Sequence, residues 1–100
     1  MTKILLVEED VTLAMGIEYS LKNEEYDVGI ANNLALSKTS ADKTDYDLIL
    51  LDIMLPDGSG FELCKYIRKD KLTPIIFLTA KDEEVNIVMG LDIGGDDYIR

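Results

Sequence analysis

The chain has no histidine and only one cysteine, Cys64. Without histidine, imidazole acid–base catalysis and His-ligated zinc are excluded. A single thiol cannot close an internal disulfide, which suits a reduced, cytoplasmic setting. Basic residues are also few. Ten Lys and Arg stand against twenty Asp and Glu, a formal charge of −10. So acidic a domain does not hold DNA or RNA through phosphates and does not seek an anionic membrane, but it can concentrate cations. No apolar run reaches the length of a membrane span, and Met1-Thr-Lys-Ile lacks the layout of a signal peptide. Repeats, linkers and low-complexity stretches are absent. What is present is one small domain of 100 residues, 47% hydrophobic and 30% charged, with enough apolar material for a single core.

The stretch from Tyr46 to Gly60 organises the rest. Leu48 to Leu51 is an unbroken apolar run, preceded by charge and followed by Pro56-Asp-Gly58. That pattern predicts a strand buried on both faces in the middle of a parallel sheet. Asp52 stands where this strand opens into a loop. A carboxylate there costs free energy unless it is paired or coordinates a cation. Open α/β sheets bind ligands just beyond the carboxyl ends of their strands, which makes Asp52 the first candidate functional group. The competing reading is an aspartate that merely caps a turn.

Other elements follow from periodicity and caps. Lys3 to Val7 is a short apolar strand ending in Glu8-Glu-Asp10, and Asp10 can cap the next helix. Leu13, Ile17 and Leu21 recur at four-residue spacing and predict that helix's buried stripe, closed by Lys22 to Glu25. Tyr26 to Ala31 forms a second strand, with Val28 and Ile30 apolar at alternate positions. Asn32-Asn33 turns the chain into a second helix through Leu34, Leu36 and Ala41. Ser59, with Glu62 three residues on, has the spacing of a capping box for a third helix carrying Phe61, Leu63, Cys64 and Ile67. Pro74 opens a fourth strand, Ile75 to Leu78. Asp82-Glu-Glu84 suits a helix N-terminus, Val85, Val88, Met89 and Leu91 give that helix an apolar face, and Gly94-Gly95 stops it. Asp97 begins a fifth strand. Strict alternation of strand and helix predicts a parallel sheet with helices on both faces.

In such a sheet Glu8 with Glu9, Asp52, and Thr79 come from three different strands yet share one edge. Crowded carboxylates call for a divalent cation, and all-oxygen ligation suits magnesium. A carboxylate can itself be a nucleophile and become an aspartyl phosphate, with the cation neutralising charge on the incoming group.

Four pieces of the chain now line up. Leu5-Leu-Val-Glu-Glu-Asp10, Asp47 to Pro56 with Gly58 and Gly60, Leu78-Thr-Ala80, and Gly94-Gly-Asp-Asp-Tyr-Ile99 together resemble a response-regulator receiver domain, from end to end of the chain. The detail most resembles regulators that carry a C-terminal winged-helix DNA-binding domain. The resemblance implies a flavodoxin-like doubly wound sheet of five parallel strands in the order 2-1-3-4-5. It implies phosphoryl transfer from a sensor histidine kinase to Asp52. Glu9, Asp52 and the backbone carbonyl of Met54 match the direct ligands of Mg2+, with Mn2+ as an alternative, and Glu8 matches the outer acidic residue. Thr79 matches the hydroxyl that moves to hold the phosphoryl group, and Tyr98 the aromatic switch that turns inward with it. A homodimer through the face of the fourth helix and fifth strand is a further implication, although Ile87 replaces the basic residue common there.

Two positions depart from the pattern. Glu9 stands where aspartate is usual, and the extra methylene moves the carboxylate by about a bond length. The family's lysine after Tyr-Ile-X lies one position past Arg100. The expectation is therefore a domain fragment, residues 1–100, short of the end of its fifth strand and its fifth helix. Leu5 and Ile49 would then lie open beside the first helix, favouring self-association. A stand-alone receiver or a phosphorylation-impaired fragment is the alternative. Two other classes share the architecture. An aspartate-nucleophile phosphohydrolase needs a second aspartate where Met54 stands, and a flavodoxin-type flavin module needs a hydroxyl- and glycine-rich loop where Glu8-Glu-Asp10 stands.

Overall fold

A computed structural model of the chain describes residues 1–78 and the strand at 97–99. Five parallel strands form one sheet: β1 (Lys3–Val7), β2 (Asp27–Ala31), β3 (Leu48–Asp52), β6 (Ile75–Leu78) and β7 (Asp97–Ile99). Their order is β2-β1-β3-β6-β7, the predicted 2-1-3-4-5 arrangement of the principal strands. Between β3 and α3 (Gly60–Arg68) the chain makes a small antiparallel hairpin, β4 (Met54–Leu55) and β5 (Gly58–Ser59), which the sequence pattern does not announce. Helices α1 (Val11–Asn23) and α2 (Leu34–Lys43) complete the described elements.

Side-chain alternation along the central strands splits the core into two layers. Leu5, Val7, Ile49, Leu51, Ile75 and Phe77 face α2 and α3, where they meet Leu34, Ala41, Leu63, Cys64 and Ile67. Ile4, Leu6 and Leu50 face the other way, against Ala14, Ile17 and Leu21 of α1. This corrects one expectation. Leu5 and Ile49 do not lie beside α1; they are fully buried in the α2–α3 layer. The α1 face belongs to the even-numbered residues of β1 and β3, and there Leu48, Ile76 and Leu78 are only partly buried.

Two helices are rotated relative to the sequence reading. Leu13 is 46% exposed, whereas Ala14 is 2% exposed. A small residue at the point of contact lets α1 approach the sheet closely. In α2 the inward position next to Leu34 is held by Ser37, not by Leu36, which is exposed. The Ser37 hydroxyl is tolerated there because it donates to the Asn33 carbonyl at 2.6 Å. Ile30 is exposed because β2 is the sheet edge. The helix expected from Asp82 to Leu91, with Ile87, and Gly94-Gly95 and Arg100 lie outside the described residues.

Helix α1 ends in a Schellman arrangement: the Glu25 N–H donates to the Lys22 carbonyl at 2.9 Å and the Tyr26 N–H to the Leu21 carbonyl at 3.2 Å. This puts Glu25 in the left-handed region, with φ of 68°. A residue with a Cβ loses about 1 kcal/mol there relative to glycine. Glu25→Gly is therefore expected to raise the melting temperature by a few degrees, at about 4–8 °C per kcal/mol for a domain of this size. An unchanged calorimetric Tm would mean that Glu25 bears no such penalty.

Candidate functional site

β1 and β3 run in register from Ile4 opposite Leu48 to Val7 opposite Leu51. One more step along that register sets Glu8 beside Asp52. The Glu8 N–H donates to the Ala31 carbonyl at 3.1 Å, so the backbone holds strand geometry through this residue. Glu8 thus keeps the parity of Ile4 and Leu6, and Asp52 that of Leu48 and Leu50. Both carboxyls emerge on the same side of adjacent strands and hydrogen-bond to each other.

Burial dominates the electrostatics of this pair. Glu8 is only 5% exposed. Loss of solvation pushes its carboxyl up to about 7, the Asp10 N–H opposes this, and the Asp52 charge adds to it. The Glu8 carboxylate accepts that Asp10 N–H at 3.2 Å. Burial also raises Asp52, against the N–H groups of Met54 and Ile53 and the hydrogen bond from Glu8. The Met54 N–H lies 3.4 Å from Asp52 Oδ1. A shared proton resolves the clash of two crowded anions, one buried and one half-buried, and the same position suits a cation that would replace that proton.

Glu9 has an exposed side chain, and its charge acts on Asp52 from a distance. Sequence order alone does not say which of the two adjacent glutamates meets Asp52; the strand's parity does. Among the described residues, no group of three acidic, histidine or cysteine side chains is gathered closely enough to cage a metal. The groups that meet Asp52 directly are the Glu8 carboxyl and the N–H groups of Ile53 and Met54. Thr79 lies outside the described residues. Leu78 pairs with Asp52 in the sheet, so β6 leads the chain to the same edge. Tyr98 pairs with Phe77 on β7, one strand further out.

Two residues matter here beyond the expected set. A Cβ built at Gly60 would overlap the main-chain carbonyl oxygen of Asp52, so only glycine lets α3 start against the end of β3. The Gly60 N–H donates to the Ile53 carbonyl at 2.7 Å. Ser59 and Glu62 complete the predicted capping box, with the Phe61 N–H donating to Ser59 Oγ at 3.1 Å. Asp57 is the second: its carboxylate reaches across to α2, a contact that the Pro-Asp-Gly turn signal does not foretell.

A family model described as the response regulator receiver domain matches residues 4–100. The chain belongs to this family. The receiver is 50% identical over 99 residues to the response regulator ArlR of Staphylococcus saprophyticus, covering 99% of this chain and 45% of that protein. It is 44% identical over 98 residues to the transcriptional regulatory protein ResD of Bacillus subtilis, covering 98% of this chain and 41% of ResD. The crystal structure of the BeF3-activated N-terminal receiver domain of Klebsiella pneumoniae RstA superimposes with a TM-score of 0.93 at 34% identity, covering 98% of this chain and 84% of that one. The receiver thus spans less than half the length of the curated relatives it matches. No helix among the described residues is long and apolar enough to cross a membrane.

Proposed function

We propose that this receiver is the phosphoacceptor module of a two-component regulator, with Asp52 as the nucleophile. The observation that carries the reading is the Asp52–Glu8 pair at the carboxyl end of the central strand, in a chain that matches the receiver family over residues 4–100. An Asp52 carboxylate oxygen attacks phosphorus of a phosphohistidine on a sensor kinase. The P–N bond breaks, the imidazole leaves and takes up a proton, and an acyl phosphate remains on Asp52. Glu9, Asp52 and the Met54 carbonyl would hold Mg2+ or Mn2+, with Glu8 as outer acid; such a cation supplies charge neutralisation to the transferred group. The loop after β3 keeps Met54 beside Asp52, and Gly60 holds the start of α3 against it. Thr79 then moves toward the phosphoryl oxygens, and Tyr98 follows, altering the face formed by the 82–91 segment and β7. The chain is a phosphoacceptor rather than an enzyme that turns over a foreign substrate, and it works in the cytoplasm.

The remainder of the whole protein carries the output. ResD is a transcriptional regulatory protein and extends well beyond the matched region, which supports a C-terminal DNA-binding domain under control of this one. A homodimer through the 82–91 and β7 face, with Ile87 in it, belongs to the same reading. The test is incubation of the full chain with Mg2+ and a small phosphodonor. The expected product carries one phosphoryl group, stable to acid and labile to base. Continuous release of phosphate would indicate a phosphohydrolase, and a yellow protein inert to the donor a flavin module.

A further inference from the structure

We infer that Asp57 is a positioning residue for this site, fastening the loop that carries Met54 to the N-terminus of α2. The inference rests on the reading of Asp52 and Met54 proposed above. Asp57 sits at the turn between β4 and β5. Its two carboxylate oxygens accept from the Leu34 N–H at 2.6 Å and the Ala35 N–H at 3.1 Å. These are first-turn N–H groups, which have no partner within their own helix. α2 already has its own cap, because the Leu36 N–H donates to Asn33 Oδ1 at 2.8 Å. Asp57 is therefore a second cap, supplied from more than twenty residues away.

The loop touches α2 at one more point. A Cβ at Gly58 would come within 2.7 Å of Leu34 Cδ2, so the turn lies directly on the Leu34 side chain. From there the link to the site is short. Met54 pairs with Ser59 and Leu55 with Gly58 across the hairpin, which leaves little slack between Asp57 and the Met54 backbone. At its far end the loop is closed by the Gly60 N–H, which donates to the carbonyl of Ile53 just past β3. With Asp57 removed, the loop keeps its apolar contacts but loses its hydrogen-bonded link to α2, and the Met54 N–H and carbonyl are held less firmly relative to Asp52.

Asp57→Ala, Asp57→Asn and Asn33→Ala in the full chain separate positioning from simple helix stability. The readouts are Mn2+ affinity by paramagnetic resonance, amide hydrogen exchange at Met54 and Leu55 without metal, and Tm. Asp57→Ala is expected to weaken Mn2+ binding about tenfold, the scale of an outer-shell loss, and to speed exchange at both amides. Asp57→Asn keeps one acceptor oxygen and should fall between, and it serves if the alanine variant does not fold. Asn33→Ala removes a cap of the same helix and should lower Tm without moving Mn2+ affinity. The inference is overturned by wild-type Mn2+ affinity or unchanged exchange in Asp57→Ala, or by an equal affinity loss in Asn33→Ala. A wild-type chain that neither binds Mn2+ nor takes a phosphoryl group overturns the site reading itself, and the exchange data then still tell whether Asp57 fastens the loop.

Discussion

Asp52→Asn is expected to reduce phosphoryl labelling of the full chain to background while leaving the fold intact. Asparagine keeps the shape and one acceptor oxygen, so the Met54 N–H retains its contact, but the amide is no nucleophile at phosphorus. Neighbouring carboxylates cannot readily replace it. Both oxygens of Asp57 accept N–H groups from α2, which hold its carboxyl below the usual range and turn it away from Asp52 toward that helix. Glu8 is buried and carries a proton for much of the neutral range. Glu9 is exposed and lies outside the Asp52–Glu8 hydrogen bond. Loss of the Asp52 charge should also let the Glu8 carboxyl fall toward its ordinary range, because that charge is one of the causes holding it up. Peptide mapping after phosphodonor treatment checks the assignment, and undiminished labelling in Asp52→Asn would place the nucleophile elsewhere.

The sheet was legible because its central strands are continuous apolar runs bounded by charge and turn residues. Leu48 to Leu51 could be read as doubly buried, and βα alternation with right-handed crossovers pointed to a parallel sheet, while the strand order came with the resemblance to receiver domains. Helix faces were less legible. Leu13 and Ala14 are adjacent, and hydrophobicity favours leucine inward, yet the close approach of α1 to the sheet selects the smaller residue. Ser37 is polar, but its hydroxyl bonds to its own helix and can be buried at little cost. Which face Leu5 and Ile49 take depends on the side of the sheet that each helix covers, and this is a property of the crossovers, not of the strands. At the site, Asp52 was marked by its position at a strand end. The choice between Glu8 and Glu9 as its neighbour required the β1–β3 register, and the reach of Asp57 to α2 is a tertiary contact with no local signal.

The metal-free domain is expected to lose stability as pH rises through the Glu8 titration, and Glu8→Gln is expected to remove much of that loss. Burial, reinforced by the Asp52 charge, lifts the Glu8 carboxyl from 4.5 to about 7. Between those values the folded state keeps a proton that the unfolded chain releases. Stability is therefore highest at the acidic end of this window and falls as pH climbs, levelling off above the folded value. Asp52 is shifted in the same direction and acts with the same sign. Asp57 is shifted downward, so its contribution is lost only under more acidic conditions, as pH falls below the usual carboxylate range. At about 1.4 kcal/mol per pKa unit, the Glu8 shift corresponds to roughly 3–4 kcal/mol lost by pH 8. Glutamine retains a polar group beside Asp52 but has no proton to release. Urea titrations at pH 5, 6.5 and 8 with chelator present should show a steep decline for the wild type and a shallower one for Glu8→Gln, with the variant the more stable at pH 8. Mg2+ at pH 8 should restore more stability to the wild type than to the variant, because the cation relieves repulsion that glutamine has already removed. Parallel declines in the two proteins would show that the Glu8 proton is not what couples this site to folding.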